Sequence, residues 1–293
     1  MSDDYSHLAD AARAIVNRSD EERINFLSRW IWIYSEAAER VEAISRRMMS
    51  IKHPSQAPCL LVYGESGMGK TSMISYLKRY VFKQNNSIVH FDTRRCLTYK
   101  SFLVSFAEQL EIPKRANGQI TSAELERELD RACMLRKIKV VVIDNLHDLM
   151  RGTRSDQRNV LAFLREMTTS NHPILLICFA IPNFEVALAS DDQLKNRFVS
   201  YHLPLWQDDD EFSSFLEAIQ SQLPLRRPSN LHGRQCIDYL LKFSGGNTKK
   251  IIESIKHASI AAITTGQERV TADLLRKWGG KPFQQEDWVI GDK

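Results

Sequence analysis

The nine residues Gly64–Ser72, GESGMGKTS, decide how this chain is read. Gly64, Gly69, Lys70 and Thr71 fit the spacing G-x-x-x-x-G-K-[ST]. Glycines there let the backbone wrap closely around phosphate oxygens, and the helix that follows aims its N–H groups and positive dipole end at them. Lys70 would neutralise the outer phosphates, and the Thr71 hydroxyl would ligate Mg²⁺. The motif requires a strand before it and a helix after it. CLLVY (59–63) and the run through Lys83 supply both. The whole loop is therefore read as the cofactor contact: Gly64, Glu65, Ser66, Gly67, Met68, Gly69, Lys70, Thr71 and Ser72.

Working outward, SIVHFD (87–92), KVVVID (139–144) and PILLICF (173–179) are short apolar runs separated by helical stretches, and FVSYHL (198–203) is a last short strand. Runs without polar alternation suit parallel strands covered by helices on both faces. The expectation is an α/β fold, a three-layer αβα core on a parallel sheet. After Trp206, four helical segments (208–223, 232–244, 247–263 and 271–278) form an all-helical subdomain, and 279–293 read as a polar tail. Before the core, residues 7 to about 50 read as helical. Ser19 and Glu22 have the spacing of a capping box, with Ile24, Leu27, Ile31, Tyr34, Ala38 and Val41 on one face. Pro54 and Pro58 mark a linker. The expected division is 1–55 N-terminal helices, 56–205 core, 206–280 helical lid and 281–293 tail.

Composition excludes several classes. Of 293 residues, 43% are hydrophobic and 26% charged, ordinary for a globular chain. No apolar run approaches the roughly 18 residues of a membrane span, and the acidic N-terminus lacks a secretory core, so the bacterial cytosol is expected. Five cysteines without a C-x-x-C pair indicate neither a zinc site nor a disulfide framework. The net charge of +4 is compatible with nucleic acid without requiring it.

KVVVID ends in Asp144, which a buried strand would deliver beside the phosphate loop to hold the water shell of Mg²⁺. Next comes Asn145, where many ATPases of this layout place a glutamate. An amide orients water but cannot take its proton, so hydrolysis should be slow. Asp148, His147 or Glu65 could substitute.

Strand, phosphate loop, acid-ended strand and trailing helical lid together resemble the AAA+ ATPases. Three stretches resemble the TniB/TnsC family of transposition regulators, relatives of the phage Mu target-selection ATPase. These are RWIWIY (29–34), similar to R-W-I-x-Y; SDDQLKNRF (190–198), similar to D-x-Q-L-x-x-R-F; and SGGNTKKIIESIKHASIAAI (244–263), similar to the sensor-2 helix. The resemblance covers about residues 25–280. It implies that Arg197 is an arginine finger reaching a neighbouring subunit's nucleotide. It also implies that Lys249 or Lys250 stands where sensor 2 is usually Arg, and that Ala180 stands near the usual sensor-1 Thr, with Asn183 the nearest polar substitute. All three departures (Asn145, Ala180, the lysines) touch sensing or hydrolysis rather than binding.

The resemblance further implies an ATP-dependent homo-oligomer, ring or helical filament, on double-stranded DNA, which recruits or activates the transposase and meets a target-site adaptor protein. Backbone contacts would come from DTRRCLTYK (92–100), with Arg94, Arg95 and Lys100, and from IPKRANGQITS (112–122), with Lys114, Arg115 and Thr121 as an N-cap. No base-reading motif is present, so binding should be sequence-tolerant and salt-dependent. Trp30, Trp32, Phe283 and Trp288 are candidate partner anchors or core residues. A replication-type AAA+ loader or initiator, and a signalling switch ATPase that binds no DNA, are the alternatives.

Overall fold

The computed structural model describes residues 5–29, 32–51, 55–82, 87–94, 96–113, 120–169, 172–188 and 195–280. Arg95, Lys114, Arg115, Trp30, Phe283 and Trp288 lie outside the described residues. The chain divides into two compact units, Ala37–Pro204 and Met1–Glu36 with Leu205–Lys293.

The α/β unit runs α3 (Glu36–Ser50), β1 (Cys59–Tyr63), α4 (Lys70–Tyr76), β2 (Ile88–Asp92), α5 (Tyr99–Gln109), α6 (Ser122–Leu135), β3 (Val140–Asp144), α7 (Arg154–Met167), β4 (Leu175–Ala180), α8 (Asn183–Leu188) and β5 (Phe198–His202). The sheet order is β2-β3-β4-β1-β5, with every pairing parallel. This is the expected α/β class. The central strands β3 and β4 are buried at every position, as a strand covered on both faces must be. β2 and β5 are edges, and β5 is largely exposed. Five parallel strands therefore deliver their carboxyl ends to the same edge. α4 continues into a π-helical turn, Leu77–Val81, so its start is braced by a longer helical run.

The helical unit joins α1 (Asp10–Arg13) and α2 (Asp20–Leu27) to α9 (Asp210–Ser221), α10 (Arg234–Ser244), α11 (Thr248–Thr264) and α12 (Ala272–Trp278). The continuous N-terminal helix expected from the sequence is therefore broken. α2 ends at Leu27, Trp32–Ser35 is irregular, and α3 begins at Glu36. Aromatic and β-branched side chains such as Trp32, Ile33 and Tyr34 lose rotamer freedom in a helix, so local propensity opposed the continuation. Ser19 and Glu22 do form the capping box. Ile24 and Leu27 then pack with Leu216, Leu240, Ile255 and Leu275 in one core.

The unit is locked by a buried arginine. Arg23 is fully buried; it donates to the Pro224 carbonyl at 3.0 and 2.9 Å, to Asp20 at 3.1 Å and to both carboxylate oxygens of Glu268. Arg226 adds contacts at 3.1 and 3.2 Å to the same carboxylate. Burial would raise the Glu268 pKa, but the bonds from Arg23 and Arg226 outweigh it and hold the group below its ordinary value. Glu268 sits at φ 59°, a left-handed conformation that costs a non-glycine residue roughly 1–2 kcal/mol. Among the described residues no helix is long and apolar enough to cross a membrane.

Arg23→Ala should destabilise the helical unit by about 3 kcal/mol, the low end for breaking a buried ion pair, because Arg226 still faces the Glu268 carboxylate. No tryptophan falls within 37–204, so intrinsic tryptophan fluorescence during denaturant unfolding reports on the helical unit alone. Because the folded pKa of Glu268 is depressed, its contribution is present above its unfolded pKa of about 4.3 and is lost as pH falls through the folded value. Glu268→Gln should therefore flatten the acid limb of the stability–pH curve.

Candidate nucleotide-binding site

The loop after β1 is shaped by Gly67 and Gly69, at φ 86° and 83°, which side-chain-bearing residues adopt only with strain. A Cβ on Gly69 would meet nothing within 4 Å, whereas one on Gly64 would lie 2.9 Å from the Leu203 Cβ. The first glycine thus packs the loop against the end of β5, and the second opens it. Gly69 is also the N-cap of α4 and offers no side-chain cap, so the helix begins without a carboxylate or hydroxyl claiming its first N–H groups. Glu65 and Ser66 are exposed at the loop tip, Met68 is buried beneath it, and Ser72 follows in the first turn of α4.

Lys70 is buried, and its ammonium donates to the carbonyls of Gly64 at 2.6 Å and Glu65 at 2.8 Å. Burial lowers its pKa, and the charges of Asp144 and Glu65 work in the opposite direction. Thr71 donates its hydroxyl to Asp144 Oδ2 at 2.9 Å. The tip of β3 and the first turn of α4 are thereby joined. Asp144 is almost fully buried; burial raises its pKa, the Thr71 bond lowers it, and the nearby Asp92 charge raises it again. One hydroxyl and one carboxylate side by side form the sparse protein donor set that suits Mg²⁺, which takes its remaining ligands from phosphate and water.

Asn145 is in the left-handed region, φ 58°, ψ 31°, where asparagine is among the best tolerated side chains. The turn sends its amide back to Asp92, with Nδ2 to Oδ1 at 3.1 Å. Its own N–H bonds to Asp144 Oδ1 at 2.8 Å. Thr93 secures this corner, donating its hydroxyl to the carbonyls of Asp144 at 3.1 Å and Asn145 at 2.8 Å. His147, in the 3-10 turn Leu146–Arg151, has its Nδ1 buried without a hydrogen-bond partner. Burial lowers its pKa, and the Asp148 carboxylate 3.9 Å from Nε2 works against that shift. Ala180 ends β4, and its carbonyl accepts from Gly64 N at 3.3 Å; it stands at the site edge with no hydroxyl to offer. Asn183 is exposed at the start of α8.

The remaining sequence candidates fall elsewhere. Arg197 precedes β5, at the amino-terminal edge of the sheet. The length of that strand, about 17 Å at roughly 3.3 Å per residue, separates it from the edge that carries its own phosphate loop. It donates to the Arg165 carbonyl at 3.0 Å and to the Thr168 hydroxyl at 2.5 Å, closing the end of α7. Lys249 and Lys250 lie in the first turn of α11, in the helical unit. Lys249 faces Glu253 at 3.7 Å, and Lys250 receives the Asn247 cap on its backbone N–H at 3.3 Å. Lys100 is exposed on α5.

Two expectations about surface groups change. Arg94 is not an unoccupied cation, because its Nε bonds to Asp92 Oδ2 at 2.6 Å beside the phosphate site. Thr121 does cap α6, but its backbone N–H is accepted by Glu124 at 2.9 Å and its hydroxyl by the same carboxylate at 2.8 Å. A negative side chain therefore stands where a phosphate would have to approach. Asp92 joins the site although no motif marks it. Its signal in the sequence is that SIVHFD and KVVVID both end in aspartate.

The family model described as "Bacterial TniB protein" matches residues 23–208. Among curated proteins, the signal recognition particle 54 kDa protein of Methanococcus maripaludis is 27% identical over 129 residues, 42% of this chain but only 27% of that protein's length. Among solved structures, the Aeropyrum pernix ORC2 protein in ADPNP–ADP complexes superposes with a TM-score of 0.63 at 16% identity, covering 91% of this chain and 74% of that one. The Aeropyrum pernix ORC1 protein in complex with DNA gives 0.60 at 15%, covering 87% and 68%. Likeness at that identity is likeness of fold. The family match spans the phosphate loop, Asp144 and Arg197 together, and the chain belongs to the bacterial TniB family of transposition-associated AAA+ ATPases.

Proposed function

We propose that this protein is an ATP-dependent, DNA-binding regulator of transposition that works in the bacterial cytosol. It assembles as a homo-oligomer, ring or filament, on double-stranded target DNA and recruits or activates the transposase, with a target-site adaptor as a further partner. The observation that carries the reading is the Thr71–Asp144 pair facing the Lys70 loop in a TniB-family chain. Lys70 and the loop amides would hold the phosphates of ATP, and Thr71 and Asp144 would hold Mg²⁺, whose contribution is to neutralise charge on the outer phosphates. Asn145 in place of a glutamate supports slow turnover and hence a long-lived assembled state. Lys249 and Lys250 are the candidates for nucleotide contacts from the helical unit.

Arg197 supports the assembly half of the proposal. It cannot serve its own loop, so a role at a nucleotide falls to a neighbour's. To act there it must leave the Arg165 carbonyl and Thr168, which couples the end of α7 to subunit contact. For DNA, Lys100 and Arg95 are the better candidates, with Lys114 and Arg115 beyond them; Arg94 is engaged by Asp92. Sequence-tolerant backbone binding fits such a set.

Lys70→Ala should weaken binding of a fluorescent ATP analogue by roughly 10- to 150-fold. Thr71→Val, which keeps the shape and removes the hydroxyl, should shift the magnesium titration of that binding to concentrations roughly 10–100-fold higher. Retained affinity in both variants would refute the assignment.

Arg95→Ala with Lys100→Ala should weaken binding to duplex DNA of any sequence. The slope of log K against log salt should fall by about 0.9 for each phosphate that is no longer neutralised, with ATP affinity unchanged. Electron microscopy tests the assembly directly: ordered oligomers should require both ATP and duplex, and their formation when either one is left out would overturn the reading.

A further inference from the structure

We infer that Asp92 is the carboxylate that orients and deprotonates the attacking water, and that Asn145 positions it. The two residues exchange the acid and amide expected at this corner. The inference rests on the ATPase reading above and concerns which residue performs the step; with Asp92 as the base, Asn145 is no longer a ground for slow turnover.

Asp92 is paired in register with Asp144 across the parallel β2–β3 ladder. In-register residues of neighbouring strands lie about 4.8 Å apart and project from the same face, so both carboxylates leave one face of the sheet at the same edge. The two have different environments. Asp144 is almost fully buried, bonded to Thr71 and committed to the cation site. Asp92 keeps 27% of its side chain exposed, so solvent reaches it.

Its existing bonds leave room for a water. Asp92 Oδ1 accepts from the Asn145 amide at 3.1 Å and from the Arg94 backbone N–H at 2.9 Å, and Oδ2 accepts from Arg94 Nε at 2.6 Å. A carboxylate offers about four acceptor positions, so one on Oδ2 remains for a water proton. The three bonds fix the orientation of the carboxylate. The left-handed backbone of Asn145 explains why the amide and acid stand this way round. Asparagine tolerates φ 58°, and from there its side chain reaches back to β2. A glutamate in that conformation would bear extra backbone strain of roughly 1–2 kcal/mol.

The rival groups are less well placed. Asp148 keeps only 14% of its side chain exposed, against 27% for Asp92, and the unpartnered nitrogen of His147 is buried from solvent. In the proposed step the water oxygen forms its bond to the γ-phosphorus. The bond from that phosphorus to the β,γ-bridging oxygen breaks, and ADP leaves with the electron pair. Asp92 takes the water's proton and returns it to phosphate or solvent.

The test measures single-turnover hydrolysis of radiolabelled ATP with protein in excess, together with affinity for a fluorescent ATP analogue. Asp92→Asn should lower the hydrolysis rate at least about 100-fold, the contribution of a positioned base, while affinity stays within about 3-fold. The exchange variant Asp92→Asn with Asn145→Glu should recover at least about 10-fold over Asp92→Asn, because it returns a carboxylate to the same corner. Recovery shows that a carboxylate at this corner suffices; the unchanged nucleotide affinity of Asp92→Asn is what a purely structural role would not give. Near wild-type hydrolysis by Asp92→Asn, parallel loss of affinity and rate, or no recovery in the exchange variant would each overturn the inference. Loss of hydrolysis in His147→Gln alongside an active Asp92→Asn would transfer the role to His147. A wild-type protein that binds no ATP would instead overturn the functional reading on which this one rests.

Discussion

A single hydrogen bond, 2.9 Å from the Thr71 hydroxyl to Asp144, ties the phosphate loop to the strand that lies two positions away in the sheet. β4 separates β1 from β3, so nothing in the ladder itself connects the loop to the acid. The bond forms because every strand runs the same way and every carboxyl end arrives at one edge. Reverse β3 and Asp144 would point away from the loop, whatever the local sequence. The central hydrophobic strands are therefore the device that makes a catalytic edge, and their all-apolar composition is the requirement for that placement.

Polar side chains at this edge are used sparingly and more than once. Asp144 receives Thr71 on one oxygen and the Asn145 N–H on the other. Thr93 holds the carbonyls of both Asp144 and Asn145, and Asp92 gathers Asn145 and Arg94. Each group fixes another's rotamer, and such a network keeps its geometry in a partly buried setting. The carboxylates also interact electrostatically: the Asp92 charge raises the Asp144 pKa, and Arg94 offsets it.

Much of this was legible from sequence because its signals are local. The phosphate loop, the apolar strands and the terminal aspartate of β3 are short patterns whose chemistry requires their spacing, and Ser19 announced its helix by a capping box and Thr121 by an N-cap. What could not be read depends on distant partners. The Asp92–Asn145 contact spans 53 residues and needs the β2–β3 register to be known. Arg94 looked like an open surface charge until the fold returned it to Asp92. The break after Leu27 was hidden by a helical apolar pattern that continued through residues with poor helix propensity. The allegiance of α2 to the C-terminal helices rests on Arg23 meeting Glu268, 245 positions later, and no local periodicity carries that information.

That distance also sets a timetable. The α/β unit, Ala37–Pro204, is threaded between two parts of the helical unit. During synthesis Arg23 emerges long before Glu268, and at about 5–20 residues per second the interval is roughly 10–50 s. Throughout it the apolar face of α2, with Ile24 and Leu27, has no completed core to enter. The α/β unit meanwhile holds all five of its strands and can close first. The nascent chain thus carries a formed nucleotide edge together with an α2 whose Ile24 and Leu27 stay uncovered until the last helices arrive, a surface open to chaperone capture.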